Sequence, residues 1–123
     1  TKHVNVSQIK TYVASTAPSG AAVTQSSNKT TTVNIDKYTG KITTHDQDIT
    51  ANTEVNFTLT NSAIGADDVV VVGHRSGGNL GDYLIQAHTM GSGSCEISIR
   101  NLTNGTLGQA LVINFVVIKG SDS

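Results

Sequence analysis

The groups with which this chain could do chemistry are few: four histidines, nine carboxylates and one cysteine in 123 residues. The tightest cluster is His45-Asp46-Gln47-Asp48, with His45 and Asp48 three apart. Three acceptors within four residues coordinate a cation only if the segment folds back on itself, and the Asp-x-Asp-x-Asp-Gly spacing of a calcium loop is missing. A solvated turn is the expectation. His74 and His88 each stand towards the end of an expected strand. Strand ends can meet in a sandwich, but two histidines without a nearby third ligand fall short of a zinc site. His3 is expected at a frayed terminus.

Gly73-His74-Arg75-Ser76-Gly77-Gly78 has the look of a nucleophile loop but lacks the Gly-x-Ser-x-Gly order and a following helix. It reads as a glycine-rich strand connection. Gly77-Gly78 and Gly91-Ser92-Gly93 also precede no helix, so no phosphate cradle is expected there. Cys95 alternates with Ile97 and Ile99, which predicts a buried, inert thiol. Asn-x-Ser/Thr occurs at Asn5, Asn28, Asn56, Asn101 and Asn104. Such sites matter only in a glycosylating pathway, and the set is read as incidental. No catalytic residue, cofactor site or metal site is therefore expected, and the chain is expected not to be an enzyme.

The elements around these groups follow from periodicity. In Asn5 to Ala14, Val6, Ile9 and Val13 recur at helical spacing, so a short helix is expected, with Asn5 or Ser7 as its cap. So short a helix is not stable alone and must dock, on its own domain or on another protein. Residues 15–32 hold the only proline and are mostly small or hydroxylated, as in an extended connector. A first edge strand near Ala22 to Gln25 is the alternative.

From Val33 the period becomes two. Val33 and Ile35, a turn at Lys37 to Gly40 and a return strand led by Ile42 predict a hairpin. Glu54 to Thr60 is the cleanest alternation, with Val55, Phe57 and Leu59 facing inwards. Asp68 to Gly73 carries four consecutive valines, as expected of a strand covered on both faces. Tyr83 to Ala87, Cys95 to Arg100 and Leu111 to Ile118 complete the strands. The stretches 61–67, 75–81, 89–94 and 102–109 carry the Gly, Asn and Asp of turns. The expected fold is all-β: an antiparallel, jelly-roll-like β-sandwich over 23–123, preceded by a short N-terminal helix and connector over 1–22.

Composition narrows the class. Eight basic residues against nine acidic ones argue against a nucleic-acid footprint or a polybasic membrane surface. No apolar run exceeds four residues, far from a membrane-spanning helix. No secretory leader is expected, because Lys2, Asn5, Ser7 and Lys10 punctuate the first apolar stretch. Thr, Ser, Asn and Gly fill 51 of the 123 positions (17, 12, 10 and 12). A domain of this size hides only about two-thirds of its surface, so contact with other copies would help it.

From Val23 to Lys119 the chain resembles a recurrent module of tailed-bacteriophage virion structural proteins. The resemblance is carried by Val23-Thr24-Gln25 with Lys29-Thr30-Thr31, by Gly40-Lys41-Ile42-Thr43, and by Phe57 to Ser62 followed by Asp68 to Val72. It continues through Gly93 to Asn101 and Ala110 to Phe115, reaching Lys119-Gly120. It implies a β-sandwich assembling as a homotrimer on the outer surface of the capsid, as a decoration (cement) protein or head fibre, with the major capsid protein as partner. A tail-fibre or tail-spike tip binding the host surface is the alternative, set second because a fibre needs a long shaft. A lectin-like or carbohydrate-active jelly roll comes last, since the chain has three tyrosines and no Trp. Val6, Ile9, Tyr12 and Val13 are then the candidate capsid-docking helix, an inference beyond the stretch that carries the resemblance.

Overall fold

In a computed structural model of the chain, residues 20–120 are described. The expected helix, with Val6, Ile9, Tyr12 and Val13, lies outside the described residues, as does His3. Eight strands make two four-stranded sheets: β1 (Ala21–Thr24), β2 (Val33–Asn34), β3 (Thr39–Thr43), β4 (Glu54–Thr60), β5 (Val69–Ser76), β6 (Tyr83–Gly91), β7 (Ser94–Asn101) and β8 (Val112–Ile118). Sheet A has the order β1-β3-β8-β5 and sheet B the order β2-β4-β7-β6. Two packed four-stranded sheets give the expected all-β sandwich.

The path of the chain explains the pairing. From β1 to β6 each connection crosses from one sheet to the other, so β1 and β3 run parallel in sheet A, and β2 and β4 run parallel in sheet B. The β6–β7 hairpin, turned at Ser92-Gly93 with Gly93 at φ 88°, stays within sheet B. That reversal makes β7 antiparallel to β4 and β8 antiparallel to both β3 and β5. The sandwich is thus antiparallel except for one pair in each sheet.

Three local expectations are corrected. Val33-Ile35 and Ile42 do not form a hairpin: β2 joins β4 in sheet B, while β3 lies between β1 and β8 in sheet A. Alternation reports only that one face is buried, and Ile35 and Ile42 bury theirs from opposite sheets of one core. Thr39 and Gly40 also belong to β3 rather than to a turn. In the connector, β1 begins at Ala21, so the edge-strand alternative for that stretch is the one adopted.

The four-valine run is the third correction. β5 is an edge strand covered on one face only. Val70 is buried, whereas Val69 and Val71 are 55% and 47% exposed. The core between the sheets is aliphatic, with Ile42, Phe57, Leu59, Ile97, Ile99, Leu111, Ile113 and Phe115 almost wholly excluded from water. Across the β3–β8 pair, the Phe115 ring occupies the space a side chain at Gly40 would need.

Candidate functional site

The outer face of sheet B carries the densest set of chemically capable side chains. Pairing places Asn56, Ser98 and Gln86 in one row across β4, β7 and β6, and Thr58, Glu96 and His88 in the next. Beyond His88 the ladder is interrupted, and Thr89 and Met90 oppose the single Cys95. Thr89 has φ 55°, a left-handed conformation costly for a β-branched residue. Its hydroxyl lies 2.8 Å from His88 Nδ1. The opposite ring nitrogen, Nε2, lies 2.6 Å from Ser98 Oγ, and the Ser98 hydroxyl donates to Asn56 Oδ1.

The order of donors decides what this row can do. With Ser98 donating to Asn56, His88 Nε2–H donates to Ser98 Oγ, and Nδ1 accepts from Thr89. The serine proton therefore points away from the imidazole, the reverse of what a general base requires. Ser98 lies on β7, paired on both sides, so nearby backbone N–H groups are engaged in the ladder rather than aimed at an oxyanion. Thr58 donates to Glu96 Oε2 at 2.6 Å, and Arg100 donates to the Asn52 carbonyl at 3.0 Å while standing 3.8 Å from Glu54. The face is polar and internally hydrogen-bonded.

The His45–Asp48 stretch is organised by a residue for which sequence reasoning assigned no chemistry. Lys29 is fully buried, and its Nζ donates to the Gln47 carbonyl at 2.6 Å. Its own N–H donates to Gln47 Oε1, and its carbonyl accepts from the buried Gln25, whose Oε1 accepts from His45 N–H. Burial pulls the Lys29 ammonium below its ordinary pKa, partly offset by the nearby charges of Asp46 and Asp48. His45 Nδ1 accepts from Gln47 N–H at 3.0 Å. The stretch is a loop pinned from beneath, and among the described residues no three His, Cys, Asp or Glu side chains are placed to hold a metal ion.

The remaining candidates are engaged separately. His74 donates through Nε2 to the Gly77 carbonyl at 2.6 Å and packs edge-on against Tyr83 at 5.8 Å. His88 stands on the other sheet with the partners given above. Gly77 to Asp82 forms the connection from β5 to β6, where Gly77, Gly78 and Gly81 take positive φ, whereas Gly73 to Ser76, expected in that connection, belong to β5. Cys95 is 1% exposed, and burial, helped by Glu96, pushes its thiol up to about 11. Asn101 is also fully buried: its amide donates to the Ile49 and Gly105 carbonyls, leaving it closed to modification.

The exposed apolar side chains form two groups. Val69, Val71 and Ile118 stand on the outer face of sheet A, with half-buried Val116 opposite Val71. Leu84 and Leu102 are diagonal neighbours on the outer side of sheet B at its Asp82 end, below the loop carrying Leu80, which is 81% exposed. Neither group has a strong sequence signal, because each becomes a patch only once strands are paired. In comparisons with models of known protein families, with curated proteins and with solved structures, the chain matches none.

Proposed function

We propose that this chain is a structural protein of a tailed-bacteriophage virion: a capsid decoration (cement) protein or head fibre, bound as a homotrimer to the outer capsid surface. It contacts the major capsid protein there and reinforces or decorates the head without catalysis. The observation that supports this most is the placing of exposed Leu84 and Leu102 on neighbouring chain segments at one end of the sandwich, next to the loop that carries exposed Leu80. Such a group is what a contact between identical copies requires. The polar outer face of sheet B beside it suits the wet margin that such contacts carry. The resemblance of the stretch from Val23 to Lys119 to virion modules is the ground on which the location is proposed. The docking residues in this reading are Val6, Ile9, Tyr12 and Val13.

Two measurements test it. Mass in solution should give three chains, and Leu84→Asp with Leu102→Asp should return the protein to one chain with its fold intact. Electron microscopy of virions with antibody to this chain should label the head. Label on the tail alone overturns the decoration reading in favour of a fibre tip that binds the host surface.

A further inference from the structure

We infer that β5 is a self-association edge: it pairs antiparallel with β5 of a second copy about a two-fold axis at Val71, joining the two A sheets into one. The contact lies on the other sheet from Leu84 and Leu102, so it stands whether or not the trimer and virion readings hold.

The unguarded edge is the first observation. Sheet A ends at β1 and β5, and sheet B at β2 and β6. Edge strands are ordinarily blunted by shortness, charge, proline or a bulge. β1 has four residues and β2 has two, while β6 is interrupted after His88 and turns Gln86 and His88 outwards. β5 has no such guard between Asp68 and Arg75. It opens with four valines, and its register against β8 shifts only beyond His74. Its ladder partner is β8 alone, and among the described residues no backbone group from Val69 to His74 bonds outside that ladder. A free row of N–H and C=O groups is a template for another strand.

Self-complementarity is the second observation, and it selects both the partner and the register. In antiparallel pairing about Val71, that residue faces its own copy, Val69 faces Gly73, and Asp67, just ahead of the strand, faces Arg75. Opposed residues share a face of the ladder, so a slide by one residue is excluded. A slide by two sets Asp67 against Gly73, or Arg75 against Val69, and loses the pairing of charges. Asp67 and Arg75 are both exposed, and among the described residues neither has an ion-pair partner in its own chain. A second copy supplies the opposite charge at both ends at once, as a two-fold contact requires.

Shape is the third observation. Gly73 leaves the outer face of β5 bare, and a groove of about 500 Å³ opens there, with Val71, Gly73, Arg75, Asn114 and Val116 among its walls. A Cβ on Gly73 would stand 2.7 Å from Asn114 Oδ1, so its own strand cannot fill the space. Val69 of the second copy, opposite Gly73, reaches it from across the new ladder. The exposed Val69 and Val71 of both copies, with Val116 and Ile118 behind them, then make one apolar strip across the junction.

One strand a side buries less than the roughly 1,200 Å² of a stable interface. The pair therefore fills only in concentrated solution, at roughly millimolar chain, and the dilute protein keeps the smaller mass. Sedimentation equilibrium of the full chain should show the mass rising towards twice its dilute value. Leu84→Asp with Leu102→Asp should rise from one chain towards two. Val71→Lys, which sets like charges face to face on the axis, should hold the dilute mass throughout with its far-ultraviolet spectrum unchanged. Arg75→Asp should weaken pairing roughly tenfold, two attractions becoming two repulsions, and adding Asp67→Lys should restore it. Under mild oxidation Val71→Cys should cross-link between copies much faster than Ile118→Cys, which is similarly exposed but one strand further from the edge. A mass that stays flat up to millimolar chain overturns the inference. A rise that Val71→Lys leaves untouched, or that the leucine variant lacks, assigns the contact to another surface and also overturns it. A charge swap that restores nothing, or equal cross-linking of the two cysteines, overturns the register about Val71 and the inference with it.

Discussion

Replacing Lys29 tests how the connection between β1 and β2 is held. The side chain is fully buried, with its ammonium on the Gln47 carbonyl. Lys29→Ala removes three buried methylenes, about 2 kcal/mol of burial. It also removes a hydrogen bond from a charged donor, about 1.5–3 kcal/mol. Relief of the ammonium's desolvation opposes both losses, leaving a net destabilisation of about 2–3 kcal/mol. For a domain of this length that lowers the melting midpoint by roughly 10 °C. Lys29→Met keeps the apolar stem and loses only the polar end, so it should fall between the parent and Lys29→Ala. Thermal unfolding followed by circular dichroism at neutral pH measures both. Alkaline pH adds a second arm. Burial lowers the pKa of Lys29 in the folded state from 10.5. Between that lowered value and 10.5 the unfolded chain holds the extra proton, so this group's contribution to stability grows as pH rises and is complete above 10.5. Lys29→Met should lack that increment. A Lys29→Ala midpoint within about 2 °C of the parent, or one equal to that of Lys29→Met, would refute the account of a buried stem carrying a satisfied charge.

Asp68 accepts from Lys119 Nζ at 2.5 Å and from the Gly120 and Gly65 N–H groups, and the lysine and these backbone bonds hold its carboxyl down at about 2. Its contribution to stability is full above the ordinary 3.8 and is lost as pH falls through about 2. Asp68→Asn should therefore melt lower than the parent at neutral pH, with the gap closing in acid titration. Asn101→Ala leaves the Ile49 and Gly105 carbonyls without their donor and should cost about 2–3 kcal/mol in denaturant unfolding. Exposed Asn104→Ala should change little. Cys95 should react with an aromatic disulfide reagent only in denaturant, since its thiol is buried and raised to about 11. Rapid labelling of the native protein would contradict its placement. Ser98 should resist fluorophosphonate labelling, because its hydroxyl donates to Asn56 rather than to His88. Stoichiometric labelling would reverse that order of donors.

What the sequence determined by itself is most of the strands and, where apolar and polar residues alternate, which side faces the core. Alternation in Glu54 to Thr60 and Cys95 to Arg100 placed Phe57, Leu59, Cys95, Ile97 and Ile99 inside, where all five are buried. That information is local, because a period of two depends only on a strand having one buried face. Which strands pair is not local. Val33-Ile35 and Ile42 carry the pattern of a hairpin, yet the chain between them crosses the core. Both arrangements bury the same side chains, and long-range pairing chooses between them. The valine run misleads for a related reason: four apolar residues show that a strand is hydrophobic on both faces, not that both faces are covered. Only the position of β5 at the edge of sheet A, beside β8, leaves Val69, Val71 and Ile118 in water together. The candidate sites divide in the same way. The inertness of Cys95 follows from its place in one strand. The Ser98–His88 contact, the burial of Lys29 beneath Gln47 and the grouping of Leu84 with Leu102 join residues 10 to 18 positions apart. They come together only through strand register and loop packing, which tertiary structure alone decides.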